Sequence, residues 1–134
     1  MKYSIRTLCA VMCLGASALA QAEVAVIANP GAAKAPNQAE VSNIFLGKDK
    51  SMKGVDHKDW TPTKDAFYTS VTSKNESQLK SYWSGLVFTG KGQPPPTVGG
   101  DAEVIAKVAA EADAIGYVDA ASVNDSVKVL FTIP

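Results

Sequence analysis

Arginine is almost absent from this 134-residue sequence: Arg6 is the only one, and the other 12 of its 13 basic residues are lysines. Cysteine is confined to Cys9 and Cys13, and His57 is the single histidine. The first two scarcities become complete once the first 22 residues are set apart. There, Lys2 and Arg6 precede an apolar stretch from Leu8 to Leu19, and small residues follow, which is the layout of a secretory signal. Cleavage is expected after Ala20-Gln21-Ala22, before Glu23, with Ala18-Leu19-Ala20 before Gln21 as the alternative. The apolar stretch is too short to span a bilayer comfortably, and Val11-Met12 before Cys13 lacks the small residue that precedes a lipidated cysteine. A soluble periplasmic or secreted protein, not inserted in the membrane after signal removal, is therefore expected.

Residues 23–134 then hold no cysteine and no arginine, which excludes disulfides, thiolate metal sites and cysteine nucleophiles. One histidine excludes two-histidine metal motifs, and no metal or cofactor is expected. With 11 lysines against 13 acids the expected mature chain carries a net charge of −2, without the basic excess that nucleic acid requires. No serine, histidine or carboxylate pair stands in a recognisable catalytic setting, so an enzyme is not expected.

What is present reads as one α/β domain over residues 23–134. Glu23 to Ala28 predicts a strand buried on both faces, ended by Asn29-Pro30-Gly31. Asn37 and Glu40 have capping-box spacing ahead of Val41, Ile44 and Phe45, and Gly47 supplies the stop. Thr61-Pro62 predicts a second helix start with Phe67 and Val71 inward. A third helix is expected from about Glu76 to Phe88, with Leu79, Trp83, Leu86 and Val87 as its buried stripe. Lys91 to Pro96 reads as a stiff spacer, and Gly99-Gly100-Asp101 opens a helix whose apolar side is Val104, Ile105, Val108, Ala109 and Ala112. Ala114 to Val118 and Val127 to Phe131 are the remaining strands.

These blocks also carry a resemblance. Asn43-Ile44-Phe45-Leu46-Gly47-Lys48, Ala66-Phe67-Tyr68, Tyr82-Trp83, Phe88-Thr89-Gly90-Lys91-Gly92, Val98-Gly99-Gly100-Asp101 and Ala114-Ile115-Gly116-Tyr117-Val118 resemble, in order and spacing, the phosphate-binding proteins of ABC importers. The likeness extends to their small, single-lobe members. It implies a three-layer lobe, a central mixed β-sheet with helices on both faces, like the second lobe of a type II periplasmic binding protein. It also implies inorganic phosphate or a related oxyanion as ligand.

In the full-length family an arginine followed by a Ser-Gly-Thr turn at a helix start holds the anion. The matching stretch here runs from Asp56 to Lys64. Thr61 and Thr63 match the hydroxyl positions, Pro62 replaces the glycine, Asp56 or His57 stands where the arginine would be, and Lys64 matches an arginine common in the small relatives. The resemblance thus implies Thr61, Thr63, Lys64 and His57 as oxyanion ligands. Each has a plainer use: Thr61 as a helix cap, His57 as a surface or turn histidine. Lys48 suits a helix C-terminus, and Gly99-Gly100 a tight turn as readily as an anion loop. With one lobe, bound anion stays half exposed and weakly held. The alternative is an exported structural or interaction module that has lost its ligand and uses the former cleft face for self-association or a protein partner.

Overall fold

The computed structural model describes residues 23–134, so the expected signal segment lies outside the described residues. Five strands and four α-helices alternate: β1 (Val24–Ala28), α1 (Gln38–Phe45), β2 (Lys53–His57), α2 (Pro62–Val71), α3 (Glu76–Phe88), β3 (Thr97–Val98), α4 (Asp101–Ala110), β4 (Ala114–Asp119) and β5 (Lys128–Ile133). A 3₁₀ turn, Ala120–Ser122, links the last two strands. The sheet order is β3-β2-β4-β1-β5. β2 runs parallel to β3 and β4, whereas β1 is antiparallel to β4 and β5, which makes the sheet mixed.

Local chemistry explains the helix starts. Asn37 Oδ1 accepts from the Glu40 amide at 2.9 Å and Glu40 Oε1 accepts from the Asn37 amide at 3.0 Å, the reciprocal box that the spacing predicts. Asn75 and Gln78 repeat it at α3. Gly47 closes α1 with φ +79°, a left-handed conformation that favours glycine.

The two faces of the sheet bury different partners. Val24, Val26, Ile115 and Tyr117 pack with Phe45, Phe67, Tyr68, Leu79 and Trp83 of α1 to α3. Ala25, Ile27, Val55 and Val118 pack with Val104, Ile105 and Val108 of α4. That is three layers. α4 lies so close that a Cβ on Gly116 would come within 2.6 Å of Val104 Cγ1.

Two expectations need correction, and two strands lie where none is expected. Lys53 to His57, for which the sequence predicts no element, is a strand because β4 and β3 flank it and satisfy its backbone on both sides. The spacer Lys91 to Pro96 holds no helix or strand and is followed by strand β3, and Pro96 O accepts from the Asp56 amide at 2.9 Å. Val87 is half exposed and Leu86 only partly buried, because α3 touches the core chiefly through Leu79 and Trp83 before running past the edge of the domain. Ala112, likewise, is exposed and lies beyond the last residue of α4.

Candidate functional site

The parallel strands β2, β3 and β4 end together at His57, Val98 and Asp119, and the crevice outside the carboxyl ends of parallel strands is where α/β sheets usually bind ligands. At this edge sits Asp56, a carboxylate 4% exposed. It survives burial because it is saturated: Tyr68 Oη donates at 2.6 Å, Tyr117 Oη donates to the other oxygen, and the His57 amide donates to that oxygen too at 2.8 Å. Burial, and then the negative charge of Asp56, push both phenols above the usual tyrosine range, so they stay protonated donors.

Lys64 reaches the same spot from the first turn of α2. Its Nζ donates to His57 O at 2.6 Å and lies 3.7 Å from Asp56 Oδ2, near enough for attraction and too far for a hydrogen bond. It also lies 5.4 Å from the Trp60 ring centroid and 5.8 Å from that of Tyr68, within cation–π range. One of three ammonium donors is therefore committed, and two remain.

His57 is buried in β2 instead of lying in a surface turn. Its Nε2 is 2.8 Å from Tyr117 O, and since a carbonyl can only accept, that nitrogen carries the proton. Asp101 Oδ1 stands 3.6 Å from the same nitrogen. Thr61 is a cap: its Oγ1 accepts from the Lys64 amide at 3.2 Å. Thr63 shares that first turn, partly exposed. Pro62 has no N–H, the Lys64 and Asp65 amides both turn back to Thr61, and the Thr63 amide is the donor left at this helix start. The turn at Gly99-Gly100 already has anions of its own. A Cβ on Gly99 would lie 2.5 Å from Glu103 Oε1, and the Asp101 carboxylate accepts from Ser122 Oγ at 2.8 Å and the Asp119 amide at 3.1 Å. Lys48 is exposed beyond the end of α1.

Of the four residues that the sequence singles out, the fold gathers Thr61, His57 and Lys64 at one corner, and only Lys64 lines the adjoining cavity. This is an open cleft of about 490 Å³ between β2, α2, α3 and the proline run. Trp60, Trp83, Lys58 and Asp56 share its lining. Sequence reasoning did not assign Trp60, Lys58, Tyr68 or Tyr117 to a site. Trp83 reads in sequence as part of a buried helical stripe, and nothing local marks Trp60, Tyr68 or Tyr117 as site residues. Among the described residues, no group of three or more His, Cys, Asp or Glu side chains can hold a metal ion. Nor is any described helix long and apolar enough to cross a membrane.

With one mixed sheet covered on both faces, the chain has the α/β architecture of a single lobe of a periplasmic binding protein. A phosphate transport receptor is among the solved structures that it resembles. An ABC-type phosphate transport receptor from Vibrio cholerae matches with a TM-score of 0.60 at 15% identity, over 81% of this chain and 46% of that one. A candidate phosphate ABC transporter substrate-binding protein from Clostridium perfringens, solved with bound phosphate, matches with 0.61 at 22% identity, over 81% and 44%. PstS from Borrelia burgdorferi matches with 0.57 at 13% identity, over 81% and 47%. At these identities the likeness is one of fold, and this chain spans less than half the length of those structures. No family model matches the chain, and no curated protein does.

Proposed function

We propose that this chain is an exported solute-binding-like lobe that holds phosphate or a related oxyanion weakly at the carboxyl edge of β2, where α2 begins. The observation that carries this reading is the buried Lys64 ammonium, which faces the cleft with donors to spare. The fold is that of phosphate receptors, one of them solved with phosphate bound. Weak binding follows from counting donors. The Thr63 amide and hydroxyl, the remaining Lys64 hydrogens and the cap itself replace only part of an anion's water shell, and Asp56 repels it. A dissociation constant no tighter than about 0.1–1 mM is expected, corresponding to about 4–5.5 kcal/mol. Calorimetry of residues 23–134 with phosphate and sulfate tests this. Micromolar binding by a proven monomer would refute the donor count, and no heat at millimolar anion would refute the function.

Export belongs to the same proposal. Mass spectrometry of protein recovered from the periplasm should give Glu23 as the first residue, and an intact Met1 there would overturn it. Phe88, 91% exposed at the end of α3, favours the second reading, an interaction module. Concentration-dependent mass in solution, lost in Phe88→Ser, with no oxyanion binding, is the outcome that reading requires.

A further inference from the structure

The cleft beside Lys64 is built for more than an inorganic anion. Its volume of about 490 Å³ lies within the range of clefts that hold organic ligands, about 300–1,000 Å³, and a single tetrahedral oxyanion fills only a corner of it. Its walls are Trp60, Leu79, Trp83, Pro94 and Pro95, flat or branched apolar groups that hydrate an inorganic anion poorly and stack well on a carbon skeleton.

The charged groups facing the cleft sort into spent and unspent. Asp56 is saturated by two phenols and an amide. Glu76 and Lys80 pair with each other at 3.1 Å on the outer lip. Lys64 keeps two free hydrogens, and Lys58, exposed at the mouth, has no ion pair among the described residues. Lys64 is thus charge-paired with Asp56 but has donors to spare, Lys58 adds an unpaired positive charge among the described residues, and both lie at the end of the cleft next to β2, while the apolar walls extend from it along α3 and the prolines.

The geometry points to an organic anion as the ligand of this cleft: an oxyanion head held by Lys64 and Lys58, with an aromatic or similarly flat apolar body between Trp60, Trp83 and the prolines. This rests on the reading that the carboxyl edge of β2 binds oxyanions, and adds the class of solute.

Trp60 and Trp83 are the chain's two tryptophans, so intrinsic fluorescence reports on this cleft directly. Phenyl phosphate, inorganic phosphate and neutral benzyl alcohol are titrated against the folded chain by fluorescence and calorimetry. Phenyl phosphate should bind about tenfold or more tightly than inorganic phosphate, and should quench or shift the emission. Trp60→Leu, checked for folding by circular dichroism, should erase most of that preference, read as the ratio of the two affinities within the same variant. Lys58→Gln should weaken both anions several-fold. Equal affinities for the two phosphates would overturn this inference and leave the oxyanion function standing. Benzyl alcohol binding as tightly as phenyl phosphate would overturn it as well, because the lysines would then play no part. If neither phosphate binds, both readings fall.

Discussion

Replacing Asp56 by alanine should be among the most damaging single changes in the chain, although Asp56 is a charged residue beside a cleft. Its carboxylate is the acceptor for the Tyr68 and Tyr117 phenols and the counter-charge for Lys64 at 3.7 Å. In Asp56→Ala the two buried phenols lose their acceptor, at about 1–3 kcal/mol each. Lys64, itself 8% exposed, loses its neutralising partner, a loss of about 3–5 kcal/mol where the remaining charge stays buried. These losses do not add in full, because the cleft admits water to Lys64 and the ammonium can turn toward it. A net destabilisation of about 3–5 kcal/mol is expected, a large part of the roughly 5–15 kcal/mol that holds an ordinary domain together. Urea unfolding followed by far-ultraviolet circular dichroism measures it. The double variant Asp56→Ala/Lys64→Met should lose about 1–3 kcal/mol less than the two single losses added, since removing the stranded ammonium relieves part of the first change. An Asp56→Ala protein within about 1 kcal/mol of the parent would refute the claim that this carboxylate organises the corner, as would strict additivity in the cycle.

Other expectations follow from the same packing. Gly116→Ala should cost about 1–3 kcal/mol in urea unfolding, because its new methyl meets Val104 Cγ1 within 2.6 Å and Val108 Cγ2 within 3.2 Å; an unchanged midpoint would mean α4 is not seated so closely. Trp83→Ala should cost about 3–5 kcal/mol through lost burial and a cavity, and thermal unfolding like the parent's would remove Trp83 from the core. Burial and the charge of Asp56 raise the Tyr68 and Tyr117 phenols, so the unfolded chain loses these protons first. Their contribution is intact below about pH 10 and should fall as pH rises further, by up to about 1.4 kcal/mol per pH unit for each phenol. Urea midpoints between about pH 9 and 11 test this, and Tyr68→Phe should flatten the decline.

What the sequence determined by itself was everything set within a few residues of chain. The capping box of Asn37 and Glu40, the Thr61-Pro62 start, the glycine stop at Gly47 and the apolar run of β4 are local signals, and their partners lie within one helical turn or along one strand. They suffice for the α/β class, and the order of the blocks extends it to a binding-protein lobe. β2 was not legible, because Lys53-Gly54-Val55-Asp56-His57 has neither strand propensity nor alternation; it is a strand because β4 supplies one ladder and β3 the other. The site depended on still longer reach. Asp56 meets a tyrosine 12 residues on and another 61 residues on. No spacing rule links such positions, and only the stacking of α2 on the sheet brings both phenols to one carboxylate and allows it to be buried. The same stacking turned His57 inward onto the Tyr117 carbonyl and set Lys64 under Trp60. Asp56 and Lys64, polar residues on either side of a predicted helix start, line a cleft in the folded chain while His57 is buried behind them, since burial of a charge is decided by which distant donors arrive to satisfy it.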